Sequence, residues 1–322
     1  MSFLILIIGF ALLIKGADVF VEGASSIAKK FNVPSMIIGL TIVAMGTSAP
    51  EAAVSVTSSL AGQNDMSVAN VVGSNFFNVL VVLGVSSIIA KLPVQEETIK
   101  KDTPFLILVS ILLLVFGINL KLGRIEGLAL LGLFTYFLVN TIKSAKKATE
   151  DDSLETGETA IAIETQTSSE ISLPKTILVS LIGIAGIVLG GDMVVNSATS
   201  IATSLGMSAN LVGLTIVAVG TSLPEFVTSI VAIKKGETEI AIGNVIGSNL
   251  FNILLVLGLA AVINPISMSM LAFIDIIFMV LITLLLYMFM KKRNSLVKSQ
   301  GIILVALYIA YMAYTIIRYL IT

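Results

Sequence analysis

"GLTIVAMGTSAPEAAVS", residues 39–55, is an apolar stretch interrupted at one place by glycine, proline and glutamate. Residues 213–229 read "GLTIVAVGTSLPEFVTS" and carry the same interruption in the same order. Inside a helix, proline donates no hydrogen bond, and its ring displaces the carbonyl four residues earlier. Pro50 does this to Gly46 and Pro224 to Gly220, and glycine tolerates the distortion. The first segment is expected to break or kink near 44–50, and the second at the matching place. Each break releases backbone carbonyls and sets a carboxylate, Glu51 or Glu225, beside them.

A second block repeats too. "NVVGSNFFNVLVVLG" at 70–84 matches "NVIGSNLFNILLVLG" at 244–258, and Asp18 matches Asp192. Glu51 to Glu225, Asn70 to Asn244 and Asp18 to Asp192 are all offset by 174 residues. The chain therefore consists of two homologous halves.

Of the 322 residues, 56% are hydrophobic and 12% charged, and the mean hydropathy is +1.04. Apolar runs of about twenty residues recur, long enough to cross a hydrocarbon core of ~30 Å as helices. No period-two alternation is present, so a barrel is excluded and helices satisfy the backbone. Ten spans are read, near 2–30, 34–60, 67–90, 104–120, 125–143, 174–204, 208–234, 239–262, 269–290 and 300–321. The first has no basic leader or clear cleavage site before it and is expected to be retained. Five spans per half is an odd number, which turns the second half over relative to the first. The expected fold is an all-α membrane protein: ten transmembrane helices in two inverted five-helix repeats, with helices broken at the midplane. The expected units are 1–143, a polar acidic linker at 144–173, and 174–322. With the N-terminus outside, fifteen Lys and Arg fall on inner loops and three (Lys121, Arg124 and Arg318) on the outer side. That bias places the linker in the cytoplasm and both termini outside the plasma membrane.

The polar residues inside the spans fall on stripes. Ala44, Ser48, Glu51 and Ser55 share one helix face, as do Ala218, Ser222, Glu225 and Ser229. Asn70, Ser74 and Asn78 form a third stripe, and Asn244, Ser248 and Asn252 a fourth. Inverted symmetry brings the four stripes together. Two carboxylates in low dielectric repel unless a cation lies between them. Cysteine and histidine are both absent, so any ion must be held by oxygen. Glu51 and Glu225 can supply four oxygens to a calcium ion, and Thr47 and Thr221 can complete its shell. Sodium, with less charge and fewer ligands, suits the flanking Ser, Asn and carbonyl groups. Gly73 and Gly247 read as close-packing positions. Asn75 and Asn249 read as either packing or site residues. Asp18 and Asp192 are open between ion contact and helix anchoring, Asp18 having Lys15 and Glu22 nearby. Asp275 and Glu126, near span ends, read as solvated charges.

"GTSAPE" with "NVVGSNFFN", repeated as "GTSLPE" with "NVIGSNLFN", resembles the paired repeats of the calcium/cation antiporter superfamily, most closely the prokaryotic sodium/calcium exchangers. The resemblance covers nearly the whole chain. It implies secondary active exchange of sodium for calcium, a diamond of four cation sites, and no cofactor beyond the transported ions. It implies that Glu51, Glu225, Thr47 and Thr221 are calcium ligands. It implies sodium ligands at Ala44, Ser48, Ser74, Ala218, Ser222 and Ser248, with both glutamates shared. Asn78 and Asn252 correspond to the pair flanking the middle site. Some relatives carry Asp where this chain has Asn252, so the potassium-dependent branch is disfavoured here. The short linker leaves no room for the large calcium-sensing domains of animal exchangers.

A proton/calcium antiporter of the same superfamily is the alternative. A channel is disfavoured by inverted repeats with broken helices. No nucleophile–base set or cofactor motif points to an enzyme. The expected partners are sodium, calcium and the bilayer, not nucleic acid, and one copy of the chain suffices for the site.

Overall fold

A computed structural model of the chain describes residues 2–62, 64–155, 173–206 and 218–321. Eight helices among these residues are long and apolar enough to cross a membrane: α1 (Ser2–Lys30), α4 (Met66–Ile89), α5 (Thr98–Asn119), α6 (Arg124–Glu155), α7 (Leu173–Ser204), α9 (Thr238–Ile263), α10 (Met270–Arg293) and α11 (Lys298–Ile321). A ninth span is the bent pair α2 (Ser35–Thr47) and α3 (Ala49–Leu60), whose axes meet at 48°. The span expected at 208–234 is described from 218 onward, as a short helical piece, Ala218–Gly220, followed by α8 (Leu223–Lys234). The protein is a multi-pass helical membrane protein.

The bend falls where proline chemistry puts it. Ser48 sits at φ −82°, ψ 7°, between two helical pieces, and Pro50 occupies the first turn of the second. Ser222 repeats this at φ −91°, ψ 6°, with Pro224 in the first turn of α8. Both serines lie in the sparsely populated bridge region, which ends one helix without forcing a loop.

Four two-residue strands fix how the loops meet. β1 (Leu92–Pro93) pairs antiparallel with β4 (Ser295–Leu296), and β2 (Lys121–Leu122) with β3 (Ile266–Ser267). Ten-span threading puts the loops after spans three and nine on one side, and those after spans four and eight on the other. The two ladders lie at opposite ends of α5 and join those same loops. They also exchange under the repeat: Leu92 pairs Leu296, and Ile266 and Leu122, their counterparts 174 residues away, pair each other.

Helices α4 and α9 form the centre. Of their most apolar stretches, 72% and 78% is buried, against 17–39% for the other six long helices. Small residues let backbones approach closely. A Cβ on Gly16 would lie 2.7 Å from Ile187 N, and one on Gly190 would lie 2.5 Å from Leu13 N, so α1 and α7 run antiparallel in near backbone contact. A Cβ on Gly243 would meet Met36 O at 2.6 Å, and one on Gly247 would meet Leu40 O at 2.5 Å, so α2 lies parallel along α9. Gly247 is thus a close-packing position as read from the sequence. The residues corresponding to its neighbours in the other half lie largely outside the described ones.

Three local readings change. Helix α6 continues past 143 to Glu155, into the polar segment, because "SAKKATEDDSLE" is rich in helix-forming Ala, Lys and Glu. The remainder of the segment, 156–172, lies outside the described residues. Asp275 is not a solvated charge: its carboxylate takes two hydrogen bonds from Arg318, both 3.1 Å, joining α10 to α11. Glu126 turns back to accept from Gly123 N at 3.0 Å, which caps the start of α6.

Candidate cation site

Glu51 and Glu225, each on the first turn after a break, are completely buried. Breaking the helix just ahead of them leaves the first-turn N–H groups without carbonyl partners, a local environment that favours negative charge. Each glutamate is held by hydroxyls from both halves or from the opposite one. Glu51 Oε1 accepts from Ser74 Oγ at 3.3 Å and from Ser222 Oγ at 3.2 Å. Glu225 Oε1 accepts from Ser48 Oγ at 3.0 Å. Ser48 and Ser222, three residues before one glutamate, therefore each donate to the other, so the two breaks interlock.

Helices α4 and α9 brace this core from behind. Asn70 Nδ2 donates to Glu51 O at 3.3 Å and to Ser55 Oγ at 3.0 Å. Asn244 Nδ2 makes the matched bonds to Glu225 O at 3.3 Å and Ser229 Oγ at 3.0 Å. Their amide oxygens face the threonines of the opposite half: Thr47 Oγ1 lies 3.0 Å from Asn244 Oδ1, and Thr221 Oγ1 lies 3.5 Å from Asn70 Oδ1. Ser248 Oγ stands 3.4 Å from Thr47 Oγ1. The Ala44 carbonyl accepts from Ser48 N at 2.9 Å and lies 3.3 Å from Thr47 Oγ1. Ala218 opens the helical piece ahead of the second break.

Asn78 and Asn252 are also fully buried, and each begins a short π-helical stretch, Asn78–Val82 and Asn252–Leu257. A π turn carries an extra residue and rotates the side chains that follow it, a device frequent at functional sites. The sequence held no signal for it beyond the repeat itself. Asn78 Nδ2 donates to Asn249 Oδ1 at 3.1 Å, and Asn252 Nδ2 donates to Asn75 Oδ1 at 3.1 Å.

Once these bonds are drawn, four buried acceptor atoms have no partner among the described residues: Glu51 Oε2, Glu225 Oε2, Asn78 Oδ1 and Asn252 Oδ1. Each half contributes one carboxylate oxygen and one amide oxygen. A buried acceptor without a donor is costly, and more so when charged. The arrangement suits a hard cation that binds oxygen. Of the residues expected at the site, Glu51, Thr47, Ala44, Ser48, Ser74, Glu225, Thr221, Ser222 and Ser248 fall within one bonded cluster, and Asn78 and Asn252 fall within a separate amide quartet one helical turn beyond Ser74 and Ser248. Asn70, Asn244, Ser55 and Ser229 belong to the bonded cluster as braces, readable from the stripes by i+4 spacing. The pairing of Asn75 and Asn249 with the opposite half was not readable. Asp18 lies outside the cluster, bound to Lys235 at 2.9 Å rather than to its sequence neighbour Lys15.

A family model described as sodium/calcium exchanger protein matches residues 1–143 and 175–317. The inner membrane protein YrbG of Escherichia coli is 35% identical over 96% of this chain and 95% of its own length. The sodium/calcium exchanger MaX1 of Methanosarcina acetivorans is 32% identical over 97% of each chain. A solved structure of the sodium-calcium exchanger NCX_Mj superposes with a TM-score of 0.83 at 31% identity, covering 97% of both chains. With ten-span threading, interlocked breaks and a match along most of its length, this chain belongs to the sodium/calcium exchanger family, whose members are transporters.

Proposed function

We propose that this protein is a sodium-driven calcium antiporter working by alternating access, with Glu51 and Glu225 as the shared ligands of both ions. The observation that carries the reading is the set of four buried acceptor oxygens, two from each half, that have no partner among the described residues. Glu51, Glu225, Thr47 and Thr221 would hold calcium. Sodium would take the flanking hydroxyls and carbonyls: Ser48, Ser74, Ser222, Ser248, Ala44 and Ala218. Asn78 and Asn252 would complete the middle of the site. Two carboxylates give the site a charge of −2, which one calcium ion neutralises. The binding energy of either ion offsets the repulsion between the carboxylates, so the site favours a loaded form over an empty one. That is the requirement of an exchanger, which must not cycle empty.

Units 1–143 and 174–322 would be the two inverted repeats, joined through 144–173 in the cytoplasm. The end of the molecule carrying the β1–β4 ladder also carries Lys91, Lys100, Lys101, Lys291, Lys292 and Arg293, while Lys121 and Arg124 flank the other ladder. This asymmetry supports an orientation with the lysine-rich end in the cytoplasm and the termini outside the plasma membrane.

The test is calcium uptake into proteoliposomes, driven first by an outward sodium gradient and then by an outward-directed proton gradient. Uptake is expected with the first and not with the second. Uptake driven by protons alone would assign the chain to proton/calcium exchange instead.

A further inference from the structure

Behind Asn78 and Asn252 stands a second pair of amides, Asn75 and Asn249, 2% and 1% exposed. The two pairs cross between halves: Asn78 bonds Asn249, and Asn252 bonds Asn75. The bond order in one of these chains is forced. Asn75 Nδ2 donates to the backbone carbonyl of Asn249 at 3.4 Å. A carbonyl only accepts, so Asn75 must face it with nitrogen and present its oxygen elsewhere. That oxygen meets Asn252, which answers with its own nitrogen. The oxygen of Asn252 is then left free, one of the four buried acceptors without a partner among the described residues, on the helix face it shares with Ser248 one turn earlier. In the other half, Asn78 Nδ2 donates to Asn249 Oδ1, the same arrangement with its own oxygen left free.

An amide is not intrinsically a cation ligand. Rotated by half a turn, it points an NH2 group where the oxygen was, and two N–H dipoles then oppose the ion. A carboxylate at the same place has no such ambiguity. A chain that uses amides here needs something to hold them.

We propose that Asn75 and Asn249 are positioning residues that lock the amides of Asn252 and Asn78 with oxygen inward, and thereby set the affinity of the central site for calcium. The proposal rests on the reading of Asn78 and Asn252 as site oxygens. Neither brace touches the ion. Each acts through the amide of the opposite half, so the two halves are coupled at the ligand level, and the loss of either brace is felt across the repeat.

The experiment is a double-substitution cycle on the purified full-length protein, read as equilibrium binding of radioactive calcium at fixed pH and sodium. The variants are Asn249→Leu, Asn78→Ala and the two combined. Leucine keeps the volume and removes the acceptor. Asn249→Leu is expected to weaken calcium binding by about threefold to tenfold, the scale of one hydrogen bond between neutral amides. In the Asn78→Ala background the same change is expected to alter binding by less than about twofold, since the amide it orients is gone. Asn249→Asp keeps an acceptor for Asn78 Nδ2 and is expected to bind calcium at least as tightly as the unsubstituted protein. An equal loss from Asn249→Leu in both backgrounds, or no loss with Asn78 in place, overturns the proposal. The Asn75→Leu and Asn252→Ala pair reads the same coupling from the other side if Asn249→Leu fails to give monodisperse protein. Failure of the underlying reading looks different: Asn78→Ala and Asn252→Ala would then each leave calcium binding unchanged, while Glu51→Gln abolished it.

Discussion

Asn70 holds Ser55 at 3.0 Å, and Asn244 holds Ser229 at the same distance in the other half. Lys235 holds Asp18 at 2.9 Å and Glu22 at 3.3 Å, but its counterpart 174 residues earlier is Ala61. Around the glutamates, most contacts come in matched pairs. At the rim, where α1 meets the turn between α8 and α9, they do not. Lys29 reaches Glu237 at 3.5 Å, and Ser25 donates to the same carboxylate. The counterpart of Lys29 is Thr203, and that of Glu22 is Asn196. Among the described residues no ion pair joins α7 to the turn after α3.

Inverted repeats give this difference a physical meaning. Exchanging the conformations of two identical halves converts an inward-open molecule into an outward-open one, and with perfect symmetry the two would be equal in energy. The site must serve both states, so its contacts have to be duplicated. The rim belongs to one side only. Whatever bonds it makes there bias the population of the two states by their own free energy and no more.

The comparison can be broken most severely at the centre. Glu51→Gln or Glu225→Gln removes half the site charge and leaves one charge of a bound calcium ion uncompensated. The cost of breaking a buried charged arrangement, about 3–5 kcal/mol, corresponds to a loss of about two to three and a half powers of ten in calcium affinity. Both variants are expected to fold and to show no calcium flux in proteoliposomes. Substantial flux from either one would mean that the two halves do not share a site.

Gly190→Val tests the seam that lets the halves meet. Its Cβ would lie 2.5 Å from Leu13 N and 2.8 Å from Gly9 O, both backbone atoms that cannot step aside. Overpacking of this kind costs about 1–3 kcal/mol. The thermal midpoint in detergent is expected to fall, whereas Gly132→Val, at a position with no described atom within 4 Å, leaves it unchanged. Equal midpoints for the two would show that α1 and α7 separate freely.

Acid sharpens the same contrast by titration. With Glu51 and Glu225 as the proposed calcium ligands, protons are expected to compete with calcium for their oxygens, so affinity falls as pH falls, by up to about tenfold per unit when one proton leaves per ion bound. Excess calcium restores the maximal rate. A rate that falls in acid and does not recover with calcium would place the titrating group away from the site.

The smallest effect belongs to the rim. Lys235→Ala removes two ion pairs of a partly exposed side chain, each worth about 0–1 kcal/mol. Calcium affinity at equilibrium is expected to stay the same, while the ratio of sodium-driven rates in the two transport directions shifts by about twofold to fivefold. Ala61→Lys, which supplies the missing cation opposite Asp192, is expected to shift the ratio the other way. A change in calcium affinity with an unaltered ratio would show that the rim acts on the site and not on the balance of states.

Much of the molecule was legible before any coordinate. The spans follow from apolar length, the breaks at Ser48 and Ser222 from prolines two residues on, and the meeting of the halves from an odd number of spans. These rules act within a few residues or on the chain as a whole. Helix α6 was misjudged at its end because a polar segment can still be helical when its residues are good helix formers.

What the sequence by itself determined is the inventory and its duplication: two buried carboxylates, hydroxyls and amides in register, and an inverted pair of five-span halves. What only the tertiary structure decided is partnership. Asp18 has Lys15 three residues away and binds Lys235 instead, and Asp275 binds Arg318. Asn75 was indistinguishable from a packing residue until its amide was seen between the Asn249 carbonyl and Asn252. The reason is that a side chain's donors and acceptors are set by its covalent structure, whereas which atom satisfies them depends on which backbones come within about 3 Å. Apart from Asp275 and Arg318, which share one half, those backbones are brought together from opposite halves, and glycine-lined helix contacts let the halves approach.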